Sequence, residues 1–414
     1  MKRVTYVLDK FPCYSETFVF DQIIGLIDRG FEVNILAFNR DPSPIPADLE
    51  QKYQLRQRCC YLLEEQKSTA PRDKLWSRFL LISKNLGRGK VWAAFNKNRF
   101  GPFTKNGFLA AVVAKNNTKF QSDIVLCHFG TTAHLADCLQ QLGLLSGAII
   151  PVFHGYDLSE AEVLSTHLPG YQRLFRQSPK VLAISNLWCQ KLQQLGCPSE
   201  KIILHRMGVA LTHFQFQQDS RPLQQPLRLL SVARFTEKKG LQYAISAVAL
   251  LRQQGIPVHY QIIGDGPLRP LLEQLIHAQG LTDTVLLRGI QPAKMVAAAL
   301  KDSDVFVLPS VTAANGDMEG VPVSLMEAMA SGTLCLSTVH SGIPELIEHG
   351  RTGLLVPERD ADALAAQLIK LQQQLYPVAQ IRQQARLKIE TEFNQQHLYD
   401  QLAQLCQEFH HGEH

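Results

Sequence analysis

Short apolar segments alternate with helical patterns along almost the whole chain. In the first half the candidate strands are residues 4–8, 31–38, 124–129, 148–154, 180–185 and 201–208. In the second half they are residues 227–235, 258–266, 284–289, 304–310 and 333–338. Between them lie predicted helices such as 16–29, 238–254, 268–279, 292–301 and 322–331. Strands that alternate with helices predict parallel sheets covered by helices on both faces.

The alternation is interrupted once, over residues 211–226. This stretch is rich in glutamine, contains Pro222 and Pro226, and shows no apolar period, as is typical of a linker. We therefore predict an α/β chain with two doubly wound Rossmann-like domains, 1–210 and 227–390, that face each other across a cleft. A final helical segment, 391–414, is predicted to pack back on the first domain.

Composition narrows the class of protein. At about 150 residues per domain, 414 residues correspond to two or three domains. A hydrophobic share of 45% excludes a chain that is disordered as a whole. The 42 Lys and Arg exceed the 37 Asp and Glu by only five, too few to indicate nucleic acid as a partner.

Cysteine usage and the N-terminal segment predict the compartment. The nine cysteines are odd in number and form no CxxC pair, which favours reduced thiols over disulfides or a zinc site. The apolar run at residues 4–8 is too short for a signal peptide. The longest uncharged run, 138–156, contains Gly143, Gly147 and Pro151 and is better explained as a helix end and a strand than as a membrane span. We expect a cytoplasmic protein, either soluble or held at a membrane surface.

The densest group of candidate functional residues is DMEGVPVSLMEAMA, residues 317–330. Pro322 suits the first position of a helix, where the N–H groups of Val323 and Ser324 would be available to a phosphate. Glu319 lies in the loop before this helix, and Glu327, further along, could accept two hydroxyl hydrogen bonds from a ribose. Either glutamate taken singly is better explained as a solvated surface residue, whereas the whole spacing favours a site.

Two cations follow the first strand of the second domain. Arg234 and Lys239 are predicted at its carboxyl end, where fixed positive charges can stabilise a departing diphosphate without a metal. The alternative is an ordinary surface cluster at the start of a helix. Convergence with Glu319 and the helix start at one sheet edge favours the diphosphate interpretation.

Several stretches in fixed order resemble the family-4 retaining glycosyltransferases of GT-B fold. They are LDKFPCYSETFV (8–19), FHGYD (153–157), ARFTEKKGL (233–241), IIGDGP (262–267), and the E-x7-E pattern Glu319 to Glu327 followed by EAMASG and SGIPELIEHGRTGLLVPERD. The first stretch and the run 317–330 are similar in particular to the exopolysaccharide branch of colanic-acid-type sugar transferases. The resemblance covers nearly the whole chain, most strongly residues 230–360 and weakly residues 45–120.

The resemblance implies a retaining, metal-independent hexosyltransferase. Its first domain would bind a lipid-linked or polysaccharide acceptor and its second a nucleotide-sugar donor, with UDP as the commonest nucleotide and GDP left open. The implied catalytic residues are Glu319, His154, Arg234 and Lys239. The donor-binding residues are Gly264, Gly266, Arg288, Gly289, Gly320, Val323, Ser324 and Glu327, and the acceptor-side candidates are Ser15, Thr17 and His128. Whether Glu319 is a nucleophile or only positions the sugar stays open.

Several of these residues also have simpler, purely structural explanations. The glycines of IIGDGP also suit a simple strand-to-helix turn, and a lone histidine such as His154 is more often structural. Ser15 and Thr17 are also suited to cap the first helix. The first loop contains no glycine where many family members have a glycine-rich turn, which leaves the acceptor geometry open.

No cofactor and no metal are expected. The acidic pairs Asp302/Asp304 and Asp360/Asp362 resemble the DxD pairs of metal-dependent transferases, but their predicted positions at the start of a strand and of a helix suit caps.

Residues 67–105, which we call the basic segment, are strongly cationic. One acid, Asp73, stands against ten basic residues: Lys67, Arg72, Lys74, Arg78, Lys84, Arg88, Lys90, Lys97, Arg99 and Lys105. Aromatic and aliphatic residues interleave them, including Trp76, Phe79, Trp92 and Phe95. This composition is typical of helices that lie on anionic membrane surfaces. The alternative is a solvated basic face whose aromatics are core.

Three function classes are compatible with this pattern. The first is a glycosyltransferase of polysaccharide or glycolipid assembly. The second is a sugar-nucleotide epimerase on the same fold, and the third is a non-catalytic nucleotide-sugar- or membrane-binding protein. The combined presence of Arg234, Lys239 and Glu319 favours the first.

Overall fold

The computed structural model describes residues 1–13, 17–64, 70–216 and 223–409. They form two compact units. The first unit contains Met1–Ile184, Trp188–His205 and the chain from Tyr399 onward. The second contains Ser185–Leu187 and Arg206–Leu398. Ser15, Lys67 and six of the sixteen residues of the predicted linker (217–222) lie outside the described residues.

The first unit is built on a seven-stranded parallel sheet of order β3-β2-β1-β4-β5-β6-β7. Its strands are β1 (Arg3–Phe11), β2 (Glu32–Arg40), β3 (Cys59–Tyr61), β4 (Phe120–His128), β5 (Leu145–Phe153), β6 (Val181–Ala183) and β7 (Ile202–Leu204). Its helices are α1 (Thr17–Asp28), α2 (Ala47–Tyr53), α3 (Pro71–Ser83), α4 (Gly89–Ala93), α5 (Lys97–Phe100), α6 (Phe108–Lys115), α7 (Gly130–Gln141), α8 (Tyr156–Ser159), α9 (Ala161–Gln177) and α10 (Asn186–Gln194).

The second unit is built on a six-stranded parallel sheet of order β10-β9-β8-β11-β12-β13. Its strands are β8 (Leu227–Val232), β9 (Val258–Ile263), β10 (Val285–Gly289), β11 (Val305–Leu308), β12 (Leu334–Thr338) and β13 (Leu354–Val356). Its helices are α11 (Leu241–Gln253), α12 (Arg269–Ala278), α13 (Ala293–Asp302), α14 (Val323–Ser331), α15 (Ile343–Leu346), α16 (Ala361–Gln372) and α17 (Val378–Glu392). They are followed by α18 (Gln395–Glu408), which belongs to the first unit from Tyr399 onward.

Both faces of the second sheet are covered, as the apolar strands predict. Neighbouring strand residues point to opposite faces, so Leu229 and Val305 join one apolar cluster while Leu230 and Phe306 join the other. A strand buried on both faces has to be apolar at every position. The prediction of two doubly wound α/β domains is therefore confirmed in its secondary structure and strand order.

The C-terminal region contains two helices, α17 and α18, separated at Phe393 and Asn394. Here the backbone bonds to Val209 instead of continuing the helix: the N–H of Val209 donates to the Phe393 carbonyl, and the N–H of Gln395 donates to the Val209 carbonyl. Two short strands, β3 and β13, were not predicted.

None of the nine cysteines forms a disulfide. Within the described ranges, no helix combines the length and the apolar character needed to cross a bilayer.

Candidate active site

The second sheet has a topological switch point between β8 and β11. Strand order runs one way through β8, β9 and β10 and the other way through β11, β12 and β13. In open parallel sheets, ligands bind beyond the carboxyl ends of the strands at such a point, because the flanking loops diverge there. The loop after β8 carries Arg234 and Lys239, and the loop after β11 carries Glu319.

Lys239 and Glu319 form an ion pair at this switch point. Nζ of Lys239 lies 2.7 Å from Oε1 of Glu319, whose residue is only 6% exposed. Burial alone would raise the pKa of Glu319, but the charges of Lys239 and Lys238 outweigh it and hold the pKa below its usual value. Glu319 is therefore a carboxylate at neutral pH.

A close backbone approach fixes the position of Lys239. Gly240 has φ +61° and is packed against the Pro309 carbonyl at the end of β11, so that a Cβ at this position would overlap the carbonyl oxygen. The neighbouring Lys238 pairs with Asp317 at 2.9 Å, and its carbonyl accepts from the N–H of Val311. The two loops are thus joined on both sides of the Lys239–Glu319 pair.

His340, which follows β12, holds the backbone of Glu319. The N–H of Glu319 donates to Nε2 of His340 over 3.1 Å, so Nε2 carries no proton. Nδ1 must then carry it, and it donates to Oε1 of Glu358 over 2.5 Å. Oε2 of Glu358 accepts from the N–H of Thr312, and Ser341 Oγ donates to the Glu319 carbonyl. The loop that presents Glu319 is thus held at both of its ends.

Arg234 and the start of α14 are open to a ligand. The Arg234 side chain is exposed and has no ion-pair partner among the described residues. The predicted position of Pro322 is wrong by one residue: it is the N-cap, and α14 begins at Val323. The N–H groups of Val323 and Ser324 nevertheless remain without a partner within the described chain, because they are the first two of the helix.

Other predicted donor residues lie at the same sheet edge or near it. Gly320 precedes Pro322, and Glu327 lies on α14, half-buried. Gly264, with φ +138°, follows β9 and lies against the Ala233 carbonyl where a Cβ would overlap it. The N–H of Gly264 donates to the carbonyl of Gly289, at the end of β10, over 2.9 Å.

Arg288 and Gly266 complete the predicted donor set. The Arg288 side chain is exposed and its Nε donates to Oε1 of Gln261. Gly266 lies against the backbone of Phe235, whose N–H donates to the Asp265 carbonyl. The second unit therefore brings all of its predicted site residues to the carboxyl edge of the sheet or to α14.

In the first unit, Asp157 joins two strand ends. Its carboxylate accepts from the backbone N–H groups of Gly130, His154 and Gly155. Burial raises the pKa of Asp157 to about 6, an effect that these backbone hydrogen bonds oppose. At neutral pH the carboxylate is ionised and fixes His154, which follows β5, relative to the loop after β4.

His128 is placed differently from its predicted role. It is fully buried at the end of β4, and both ring nitrogens are bonded: Nδ1 to Nε2 of His154 and Nε2 to Oε1 of Gln22, each over 2.8 Å. Because both ring nitrogens are bonded within the protein, the buried His128 side chain does not contact an acceptor directly. Thr17 is exposed at the first position of α1, while Ser15 lies outside the described residues.

Asp360 caps α16, as predicted, by accepting from the N–H of Ala363. Asp304 accepts from the N–H of Arg228 at the amino end of β8, away from the switch point. Within the described part of the chain, no three His, Cys, Asp or Glu residues are grouped so as to hold a metal ion.

The sequence did not single out Gln22, His340 or Lys238. Lys238 and the Glu358 partner of His340 lie inside the stretches that carry the family resemblance. Gln22 gave no signal, because its role depends on contact with His128, 106 residues further along the chain.

Comparison with known proteins decides the family. The chain is 44% identical over 409 residues to the putative colanic acid biosynthesis glycosyltransferase WcaL of Escherichia coli (strain K12), covering 98% of this chain and 99% of the relative. Residues 214–388 also match the family model described as glycosyl transferases group 1. The chain belongs to the group 1 glycosyltransferases. The stretch matched by the family model contains every predicted donor-side residue of this glycosyltransferase.

A second relative is similar over the same length. The amylovoran biosynthesis glycosyltransferase AmsK of Erwinia amylovora is 43% identical over 411 residues, covering 98% of this chain and 99% of the relative.

Solved structures of the same fold are more distant in sequence. The Anabaena protein Alr3699/HepE, solved with UDP and glucose, matches with a TM-score of 0.70 at 17% identity over 98% of this chain and 100% of that one. Sucrose-phosphate synthase from Thermosynechococcus elongatus gives a TM-score of 0.72 at 19% identity over 98% of both chains. These likenesses show the GT-B fold of this group 1 glycosyltransferase.

Proposed function

We propose that this glycosyltransferase transfers a hexose from a nucleoside diphosphate sugar, with UDP as the nucleotide, to a lipid-linked or polysaccharide acceptor in exopolysaccharide assembly, with retention of the anomeric configuration. The exopolysaccharide assignment is supported by the two relatives, which are named for colanic acid and amylovoran biosynthesis and are similar over 98% of this chain.

One observation carries the donor assignment. Arg234, Lys239 and the unpaired N–H groups of Val323 and Ser324 belong to loops and a helix start that meet at one switch point. Two cations and a helix N-terminus suit a diphosphate, whose negative charge grows as the sugar leaves. Arg234 is open to bind it, and Lys239 is held in place by Glu319 and by the close packing of Gly240.

The chemistry follows from this arrangement. The bond between the anomeric carbon and the diphosphate oxygen breaks, and the acceptor oxygen bonds to the anomeric carbon on the same face. The acceptor proton passes to the departing phosphate oxygen. Glu319, ionised and buried, stabilises the positive charge that develops at the sugar, and His154 hydrogen-bonds a sugar hydroxyl.

We expect the reaction to need no metal, because Arg234 and Lys239 supply the positive charge that a divalent cation would supply otherwise. Adding EDTA in excess is expected to change the transfer rate by less than about twofold, and loss of activity that Mg²⁺ or Mn²⁺ restores would contradict this.

The decisive experiment is a panel of nucleotide sugars tested by thermal shift and then by turnover. A ligand that binds the folded chain raises its melting temperature by mass action. UDP is supported by the ligands of the Anabaena structures, whereas a mycobacterial relative of 26% identity is named as GDP-mannose-dependent, so UDP- and GDP-linked hexoses belong in one panel. Epimerisation of the donor without transfer would favour the epimerase instead, and absence of any shift would contradict the donor assignment.

We propose further that the basic segment docks on an anionic membrane surface. Its described part contains α3, α4 and α5. Trp76, Phe79 and Trp92 are 62%, 56% and 59% exposed, so these aromatics are not the core of a solvated face. Lys74, Lys84, Lys97 and Lys105 have no carboxylate partner within the described chain. Exposed aromatics among unpaired cations suit the interface of an anionic leaflet, where a lipid-linked acceptor would reside.

A further inference from the structure

Four buried side chains of the first unit form a continuous hydrogen-bonded chain. Tyr6 lies on β1, Gln22 on α1, His128 at the end of β4 and His154 directly after β5. Tyr6 Oη donates to Oε1 of Gln22 over 3.0 Å, and the same oxygen lies 2.8 Å from Nε2 of His128. Nδ1 of His128 lies 2.8 Å from Nε2 of His154. Tyr6 and His128 are fully buried, Gln22 is 1% exposed and His154 is 8% exposed.

The phenol fixes the orientation of the Gln22 amide. The Tyr6 hydroxyl is buried and has no other hydrogen-bond partner within the described residues. Burial raises the pKa of Tyr6 well above its usual value, so the hydroxyl keeps its proton and must donate it. Only the carbonyl oxygen of the amide can accept it, which places Oε1, and not Nε2, of Gln22 between Tyr6 and His128.

The position of Oε1 then fixes the proton on each histidine. A carbonyl oxygen only accepts, so Nε2 of His128 carries a proton. Burial lowers the pKa of His128 well below its usual value, so its ring is neutral and Nδ1 has a lone pair. Nε2 of His154 must therefore donate to it. Because burial also lowers the pKa of His154, to about 3, this ring is neutral too, and its proton is on Nε2.

One ring nitrogen at the end of this hydrogen-bonded chain, Nδ1 of His154, is not used by it. Nδ1 of His154 has a lone pair and no partner within the described part of the chain. The ring is held by Phe18 and Phe129, whose centroids lie 5.0 Å and 4.7 Å from it, and its backbone is held by Asp157. Phe129 has φ +74°, an uncommon conformation for a non-glycine residue, stabilised by its N–H bond to the Val152 carbonyl.

We infer that Gln22 and His128 are positioning residues that hold His154 in the Nε2–H tautomer, so that Nδ1 accepts a hydrogen bond from a sugar hydroxyl. The inference deepens the proposed function, on which the contact of His154 with the sugar rests. It specifies the ligand group as a hydrogen-bond donor, so a deoxy or O-methyl analogue at that position of the sugar leaves Nδ1 unpaired and is rejected.

The tautomer can be measured without any ligand. In the full chain labelled with ¹⁵N-histidine, long-range ¹H–¹⁵N correlations report which ring nitrogen carries the proton, and a His154→Gln variant assigns the signals. The expected pattern is a protonated Nε2 and a bare Nδ1 at pH 7. Gln22→Leu removes the oxygen that accepts from Nε2–H of His128. In this variant we expect His154 to be no longer uniformly protonated at Nε2. Gln140→Leu, on α7 of the same unit, is the matched control and should leave the pattern unchanged, because Gln140 Nε2 donates to the Gly147 carbonyl and the residue lies outside the hydrogen-bonded chain that contains Gln22.

The functional arm uses the nucleotide sugar that stabilises the chain most in the panel, together with its free nucleoside diphosphate. Gln22→Leu is expected to raise KM for the nucleotide sugar about tenfold, the effect of one lost neutral hydrogen bond, and to leave diphosphate affinity within about twofold. His128→Phe is expected to have the same effect and provides a second variant should the first not fold. The double variant is expected to be no worse than either single one, because both act through His154.

The outcomes separate the two claims. A protonated Nδ1 on His154 in the parent chain would overturn the inference, and so would Gln22→Leu and His128→Phe variants that fold and keep the parent KM. A parent chain that binds no nucleotide sugar would contradict the proposed function, while the NMR pattern would still decide the proton positions.

Discussion

At the scale of single residues, the candidate site depends on charges that compensate one another. Glu319 is buried and ionised because Lys239 lies 2.7 Å away. Removing one member of such a pair leaves an uncompensated buried charge, which costs about 3–5 kcal/mol. The same pair therefore determines both the stability of the loop and the position of Lys239, the proposed catalytic cation, and suitable variants can separate these two roles.

We predict that Lys239→Met lowers transfer by about 100- to 1,000-fold, comparable to the loss of one preorganised donor at a developing negative charge. It should also lower the free energy of unfolding. The double variant Lys239→Met/Glu319→Gln should recover most of that stability, because no charge is left unpaired, yet stay inactive. Turnover and urea unfolding measure the two effects.

Arg252→Met is the control for this prediction. It breaks the exposed ion pair between Arg252 and Asp283, before β10 and so at the other edge of the sheet, and it should leave turnover unchanged. A Lys239→Met enzyme within threefold of the parent rate would contradict the assignment.

Residues differ in how far the sequence predicts them. Lys239 and Glu319 were predicted to converge because each follows a strand, and the carboxyl ends of parallel strands meet at one edge. His340 and Gln22 were not, since a histidine or glutamine gains its role only from the partner packed against it. The buried position of His128 was likewise not predictable, because a strand end can be exposed or covered.

At the scale of secondary-structure elements, the strands of both sheets were mostly predictable from their apolar runs. The exceptions are β3, which is half-buried at the edge of its sheet, and β13, which is buried. The break between α17 and α18 follows from a pairing with Val209, some 180 residues earlier, which local pattern does not contain.

A separate prediction concerns membrane binding by α3, α4 and α5 of the basic segment. The double variant Trp76→Ser/Trp92→Ser is expected to reduce flotation with phosphatidylglycerol vesicles at least tenfold, because each exposed indole loses its place at the interface. Leu271→Ser/Leu375→Ser, which removes exposed apolar residues of the second unit, is the matched control. Equal flotation of the parent chain with neutral and anionic vesicles would contradict anionic docking.

At the scale of the whole molecule, stability should depend on pH through the first unit. His128, His154 and His205 are buried there, and burial lowers the pKa of His154 to about 3 and of His205 to about 4, with His128 also well below its usual value. The unfolded chain binds these protons near pH 6.5. The stabilisation is therefore complete above that pH and is lost as pH falls toward 4, by about 1.4 kcal/mol per pH unit for each histidine.

Tryptophan fluorescence can follow this loss, because all three tryptophans, Trp76, Trp92 and Trp188, belong to the first unit. Urea midpoints measured at pH 7.5, 6.5 and 5.5 are expected to fall below pH 6.5. His205→Gln should reduce the slope of the free energy of unfolding against pH by about 1.4 kcal/mol per pH unit, the contribution of one proton, whereas the exposed His259→Gln should not. A midpoint that stays constant down to pH 5.5 would contradict the prediction.

The last helix changes the order in which the molecule can be completed during synthesis. Lys2 Nζ donates to the carbonyls of Cys406, Gln407 and Phe409, Arg29 pairs with Asp400, and Tyr399 packs on Gly25. The first unit therefore combines residues that precede the second unit in the chain with residues that follow it. At about 5–20 residues per second, translation of the second unit takes on the order of 10–40 s. Throughout that interval the nascent first unit lacks its closing helix, and the apolar surface around Gly25 is available to chaperones.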